Sequence, residues 1–473
     1  MSLLLPEISL VVFAFIVIVF DLLNKKAVLP WLSVAGVVVA AIFAIAMWGL
    51  NTTSFAGMLF VDSFSIFFKY LFLVVALLII LSSRDYVPKF ARFQGEYYAL
   101  VLLSSAGMML MAATGELISI YIALELTSIS LYILASFLKD TRSSEAGLKY
   151  LLLGAISSAM LLYGMALVYG LTGSTHLGNI AAAITTRGVT GDPALLLGIV
   201  FMVAGFGFKI AAVPFQMWVP DVYEGSPTPV VAYLSVASKA AGFAVILRVF
   251  YGAFGPPLSI SLDWALLFAV LAAVSMTVGN VVALVQGNIK RMMGYSSIAQ
   301  AGYLMVGLAT LSVLGRSGLV FFLASYAVTN LGAFFAIIAI SNKTNSDQIE
   351  DFAGIARRSP WLAAVLALCL ISLIGLPPTA GFIAKVYLFS AAVQDGLLWL
   401  VIIAVINSVI SAFYYLRVVK VMYLGTPASE ERVPSSGAMR FALGVSGLAV
   451  LFIGVLPGYI LQLAQAVAKV FPS

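Results

Sequence analysis

The chain has 473 residues, of which 63% are hydrophobic and 9% charged, against roughly 45–50% and about 25% in a typical soluble domain. A water-soluble core of this length cannot hide so much apolar surface, so the composition excludes a soluble enzyme and specifies an all-α polytopic membrane protein. The net charge of +6 is no nucleic-acid signature, and a single cysteine, Cys369, with a single histidine, His176, leaves no ligand set for an iron–sulfur cluster, haem or multi-histidine metal site.

In chain order, about fourteen segments approach the roughly 20 mostly apolar residues that a span needs. They lie near 3–22, 30–49, 60–82, 96–113, 116–138, 146–171, 193–219, 227–252, 262–286, 291–313, 317–341, 361–393, 397–424 and 439–466. The first run has no small-residue cleavage site after it and reads as a retained span. Alternate loops differ in charge. One set carries Lys25, Lys26, Arg84, Lys89, Arg92, Lys139, Arg142, Lys290, Arg291, Lys343, Arg357, Arg358, Lys420, Arg432 and Arg440. The other carries only Arg187, Arg316 and Lys469. That asymmetry puts the first set in the cytoplasm and both termini outside. In the charged connection S-N-K-T-N-S-D-Q-I-E-D-F-A-G-I-A-R-R-S-P, Asp347 and Glu350 resemble a capping box, which predicts a short amphipathic surface helix.

Seven cations remain inside the spans: Lys69, Lys149, Lys209, Lys239, Arg248, Lys385 and Arg417. Each costs about 2.5–3.5 kcal/mol at the centre of a span. Lys69, Arg248 and Arg417 lie close enough to span ends to snorkel to water. Lys149, one turn into the sixth span, fits either reading. Lys209, Lys239 and Lys385 have apolar or small neighbours for about ten residues on at least one side. In such surroundings a lysine can exist neutral as well as charged, and so can load and release a proton. Glu125, in Y-I-A-L-E-L-T-S, is the one acid deep in a span and the natural partner for Lys209. Glu116 stands at the entrance of the same helix.

Two spans carry breakers. Pro214 and Pro220 interrupt the seventh, just after Lys209; Pro377, Pro378 and Gly381 interrupt the twelfth, just before Lys385. Broken backbone at membrane depth is tolerated only beside protein or water, so a hydrated cavity is expected next to each lysine. Interrupted helices in matching positions of two halves indicate a transporter built from repeats. An offset of five helices reverses orientation, giving two inverted five-helix repeats. Within a single membrane domain, 1–473, the expected parts are helices 1–3 (1–95), helices 4–8 (96–252), helices 9–13 (262–424) and helix 14 (439–466).

The runs V-P-F-Q-M-W-V-P-D-V-Y-E-G-S-P-T-P-V, N-I-K-R-M-M-G-Y-S-S-I-A-Q-A-G-Y and L-P-P-T-A-G-F-I-A-K resemble the antiporter-like subunits of respiratory complex I, over nearly the whole chain. Within that family the wording is most similar to the N-type subunits of bacterial NADH–quinone oxidoreductase. Fourteen spans without a long lateral helix argue against the L type, and lysine rather than glutamate at 385 argues against the M type. The resemblance implies proton translocation coupled to quinone reduction. Glu125 matches the family's glutamate on helix five, Lys209 the lysine on broken helix seven, Lys239 the connecting lysine on helix eight and Lys385 the lysine on broken helix twelve. Lys149, Gln216 and Lys290 are secondary candidates for the same path. Gln216 departs from the pattern, because many relatives have a titratable histidine there.

By the same resemblance this chain would carry no redox centre. NADH, FMN, iron–sulfur clusters and quinone would belong to the rest of the complex. The expected partners are a neighbouring M-type antiporter-like subunit, a small K-type subunit and lipid, in a bacterial cytoplasmic membrane. Two alternatives share the ancestry: a subunit of a multisubunit cation/proton antiporter, and a hydrogenase-type or photosynthetic-type relative of complex I.

Overall fold

The structure is a computed structural model that describes residues 2–91, 93–255, 260–427 and 429–471; Arg92 lies outside the described residues. Its helices in chain order are α1 (Leu5–Leu22), α2 (Leu29–Ile45), α3 (Ser63–Ser83), α4 (Gln94–Ala113), α5 (Leu117–Ala135), α6 (Thr141–Thr172), α7 (Leu177–Arg187), α8 (Pro193–Ile210), α9 (Trp218–Gly225), α10 (Thr228–Tyr233), α11 (Lys239–Ala253), α12 (Ile260–Ala283), α13 (Ile289–Ala309), α14 (Val313–Thr344), α15 (Ile355–Arg358), α16 (Pro360–Ile374), α17 (Ala380–Gln394), α18 (Leu398–Leu424), α19 (Gly437–Val455) and α20 (Gly458–Ala468). Among the described residues, 12 helical segments are long and apolar enough to cross a membrane. α13 is as long but more polar, and α16 and α17 are two shorter apolar pieces of one crossing. Each segment expected from hydropathy corresponds to one of these helices or to a consecutive set of them.

Local chemistry starts and stops the helices. The side chains of Asp62, Glu116, Asp140, Asp192, Asn288, Ser312 and Ser436 accept from backbone N–H groups at the starts of α3, α5, α6, α8, α13, α14 and α19. Gly173 and Gly375 adopt the left-handed conformation that closes α6 and α16. α6 packs on α8 where Gly164 meets Gly198; a Cβ on Gly164 would stand 2.6 Å from the Gly198 carbonyl oxygen. Small residues permit such close backbone approach in lipid.

The basic loops meet on one face. Lys26 donates to the Ala91 carbonyl at 3.0 Å, and Lys343 pairs with Glu431 at 2.7 Å. Arg358 donates to the Glu431 carbonyl at 2.7 Å, and Asn342 reaches the Asp85 carbonyl at 3.5 Å. The Lys343 ammonium holds the exposed Glu431 carboxyl below its ordinary range.

Several elements differ from the sequence expectation. A short hairpin, β1 (Thr52–Ser54) with β2 (Leu59–Val61), and the surface helix α7 are additional. The last span is two helices, because the chain turns at Leu456–Pro457 and α20 starts anew. The charged connection is not one capped helix. A 3-10 turn at Ile349–Phe352 and the single turn α15 flank Gly354, whose φ is +66°. Asp347 does not cap it, since its carboxylate is drawn to Lys290 at 3.2 Å.

The snorkelling expectation fails for Lys69 and Arg248. Lys69 is fully buried and pairs with Glu7 of α1 at 2.8 Å. Arg248 is buried and bidentate on Asp62 at 2.7 and 3.0 Å, with the Ala112 carbonyl at 2.9 Å and Phe60, Phe64 and Phe471 around its guanidinium. Both cations have a carboxylate within reach inside the bundle, so neither goes to water. Arg417 bonds the carbonyls of Leu284 and Gln286 just beyond α12, a favourable place for a cation.

Candidate functional site

The seventh span breaks between Ile210 and Trp218, after a left-handed turn at Ala211. Pro214 lies in the break. Pro220 does not; it sits in the first turn of α9, where a missing N–H costs nothing. Trp218 Nε1 donates to the Phe208 carbonyl at 3.0 Å, and the Val213 N–H donates to Ser275 at 2.9 Å. These two bonds occupy backbone groups that the break would leave bare. Trp218 also stacks on Tyr150 with ring centroids 4.4 Å apart.

Lys209 is in the last turn of α8, buried, and its ammonium has no hydrogen-bond partner among the described residues. Its Nζ lies 6.0 Å from the Tyr132 ring. Tyr132 is on α5, two turns after Glu125. Glu125 does not touch Lys209; its carboxylate accepts from Ser158 of α6. The two share one region of the bundle as a separated pair.

Lys239 opens α11 directly after a widened, π-helical turn at Leu234–Ser238. It donates to the carbonyl and hydroxyl oxygens of Ser297 on α13. The same hydroxyl meets Tyr223 at 3.1 Å and Tyr326 at 3.4 Å. The neighbouring Ser296 bonds Tyr415, and Gln300, one turn on, donates to the Leu373 carbonyl at 3.1 Å. Leu373 is also where Lys385 arrives.

The twelfth span breaks at Gly375–Thr379, which contains Pro377 and Pro378. Gly381 is past the break, in the first turn of α17, and its N–H donates to Ser372 at 3.1 Å. A Cβ there would lie 1.9 Å from the Ser372 carbonyl oxygen. Gly381→Ala is therefore expected to destabilise the chain by about 1–3 kcal/mol, because backbone must move; the thermal midpoint of the purified assembly measures it. Lys385 reaches back across the break to the carbonyls of Leu373 and Ile374 at 3.2 and 2.9 Å and to Ser408 at 3.1 Å. A cation on the last carbonyls of a helix is favoured by the helix dipole. Its Nζ lies 4.2 Å from the Tyr303 ring, whose hydroxyl accepts from Asn280 at 3.3 Å.

Three secondary candidates fall elsewhere. Lys149 does not join the buried line. Its side chain is 42% exposed and pairs with Glu145 and Asp221, both at 2.8 Å. It belongs to a surface network in which Arg291 binds Asp221 and Glu224 at 2.8 and 2.9 Å. Gln216 lies in the first break, with its buried side-chain oxygen lacking a partner among the described residues. Lys290 is buried at the basic face, between Asp347 and the Ser226 carbonyl. It lines a polar cavity of about 350 Å³ with Lys89, Tyr86, Asp140 and Glu224. Burial pushes the Tyr86 hydroxyl up to about 12 and holds the Lys89 ammonium below the usual lysine range, with Lys290 adding to the latter effect.

The sequence reading does not name Ser158, Ser297, Tyr303, Tyr326, Gln300, Asn330 or Ser408. The available signal was a hydroxyl or amide inside an otherwise apolar run, where a polar group needs a partner.

The family described as NADH:quinone oxidoreductase/Mrp antiporter, TM, matches residues 114–411. NADH-quinone oxidoreductase subunit N of Dehalococcoides mccartyi is 50% identical over 477 residues, with 98% of each chain covered. A chain of respiratory complex I from Thermus thermophilus, solved with bound aureothin, has a TM-score of 0.82 at 34% identity, covering 97% of this chain and 99% of that one. A chain of the archaeal membrane-bound sulfane sulfur reductase has a TM-score of 0.89 at 26% identity, over 99% and 97%.

Proposed function

Because this chain belongs to the NADH:quinone oxidoreductase/Mrp antiporter family, as an antiporter-like membrane subunit of complex I, we propose that it moves protons along Glu125, Lys209, Lys239 and Lys385. Quinone reduction in the rest of the assembly drives the transfer. One observation carries the reading: three buried lysines each stand where a helix departs from regular winding, at 211–217, 234–238 and 375–379. Irregular backbone at membrane depth is tolerated only where protein or a water-filled cavity meets its polar groups, which is also where a buried lysine can exchange a proton. Between Lys239 and Lys385 the hydroxyls of Ser297, Ser296 and Tyr415 can pass a proton, and the Gln300 amide is a polar group that ties α13 to the Leu373 carbonyl.

In this reading the flavin, iron–sulfur clusters, NADH and quinone sites belong to other subunits; for the clusters, one cysteine and one histidine supply no ligand set here. The basic face is cytoplasmic and the termini are outside, in a bacterial cytoplasmic membrane. A K-type neighbour covers α5 and an M-type subunit lies on the other side. Support for the former is that half-buried Glu125 shares an outward stripe with exposed Ile118, Ile122, Ile129 and Ile133. A carboxylate facing lipid is costly until another subunit covers it. Two inverted repeats, 96–252 and 262–424, account for breaks in spans seven and twelve.

The test uses the whole complex in proteoliposomes. Lys385→Ala is expected to lower proton uptake and coupled quinone reduction together, by roughly tenfold or more, with ferricyanide reduction by the peripheral arm unchanged. Wild-type pumping by an assembled Lys385→Ala complex would end the relay assignment for that residue.

A further inference from the structure

The turn before Lys239 widens without help from proline or glycine: residues 234–238 read L-S-V-A-S. The span around it, Thr228–Ala253, is buried on all sides within the bundle. An extra residue in a helical turn carries everything after it about 100° further round the axis. Lys239 is the first residue to feel that displacement, and it ends on Ser297.

Something must hold the turn open. The Ser235 hydroxyl donates to the Ala232 carbonyl at 2.8 Å and accepts from the Asn330 side-chain amide at 2.7 Å. Asn330 is on α14, one turn beyond Tyr326, whose ring lies 5.4 Å from the Lys239 ammonium and whose hydroxyl reaches Ser297. One face of α14 thus grips the turn before the lysine and backs the lysine itself. Thr329 of α14 meets Ser372 at 3.3 Å, and Ser372 also takes the Gly381 N–H at the second break.

We infer that Asn330 is a positioning residue for proton transfer: its amide holds the widened turn open through Ser235 and so aims Lys239 at Ser297. This rests on the relay reading above. The titratable groups facing Lys239 are the hydroxyls of Tyr223 from α9 and Tyr326 from α14, each through Ser297. An altered aim therefore changes the protonation of Lys239 as well as its reach.

The experiment compares Asn330→Leu, Asn330→Ser, Lys239→Gln and Ser325→Ala in the reconstituted complex. Ser325 is a control, because among the described residues its hydroxyl bonds only its own helix, at Phe321. Both Asn330 variants are expected to lower proton uptake and coupled quinone reduction together by about tenfold and to shift the pH of half-maximal pumping, with Ser325→Ala unchanged. The swap Asn330→Ser with Ser235→Asn restores pumping in part. If Asn330→Leu does not assemble, the smaller Asn330→Ser decides by the same two readouts; failure of both to assemble assigns Asn330 to folding alone and overturns the inference. Normal proton uptake and pH profile in an Asn330 variant, with Lys239→Gln impaired, overturns it too. Normal pumping by Lys239→Gln instead removes the relay reading and this inference together.

Discussion

Arg248→Gln is expected to destabilise the chain by about 3–5 kcal/mol, enough to deplete the assembled complex. The guanidinium is 5% exposed and makes four hydrogen bonds, two to Asp62 and two to the Ala112 carbonyl. Asp62 is also the cap of α3, accepting from the Ser65 N–H at 2.7 Å. Glutamine would leave that carboxylate buried without its counter-charge. The same cation stands over the rings of Phe60, Phe64 and Phe471, so the end of the chain loosens with it. Removing both charges separates the causes. Asp62→Asn with Arg248→Met should recover much of the loss, because the isolated charge is the larger cost. Thermal midpoint and yield of intact complex report both results, and a single variant as stable as the parent would return Arg248 to a solvated role. Lys69, paired with Glu7 away from solvent, is expected to behave in the same way.

Lys209→Ala is expected to lower proton pumping by roughly one to two orders of magnitude while the complex assembles. Its ammonium has no hydrogen-bond partner among the described residues, so alanine leaves no orphaned bond behind. What disappears is the buried cation at the first break, which follows Glu125 in the proposed path. Glu125→Gln keeps an acceptor for Ser158 and deletes the carboxylate's charge. If the two work as a unit, the double variant should pump no worse than the more damaged single one. Additive losses would show two separate routes, and unimpaired pumping by assembled Glu125→Gln would remove the acid from the path.

The residues themselves made much of this legible. Spans are readable because hydropathy is a local, one-dimensional property, and the bilayer sets a length that each helix must meet. The breaks were marked by Pro214, Pro377 and Pro378, since proline removes a donor wherever it sits. The family wording runs through both breaks, and Lys209, Lys239 and Lys385 stand out as cations inside apolar runs. Pro220 and Gly381 misled because the same residue types also serve inside first turns.

Only the tertiary structure decided where each buried charge goes. Arg248 and Asp62 are 186 residues apart in sequence, and Lys239 and Ser297 are 58 apart. No periodicity connects such positions; helix neighbours do, and these depend on how the whole bundle packs. The same limit hid the widened turn at 234–238, which depends on Asn330 arriving from another helix. Asp347 shows the competition directly. Its sequence neighbours offer it a cap, but its carboxylate lies 3.2 Å from the buried Lys290 ammonium, a charge that would otherwise be left without a counter-ion. Thus the number of spans, their breaks and the presence of stranded lysines belong to the sequence by itself. Whether a stranded charge is a latch, like Arg248, or a buried cation without a hydrogen-bond partner among the described residues, like Lys209, belongs to the packing.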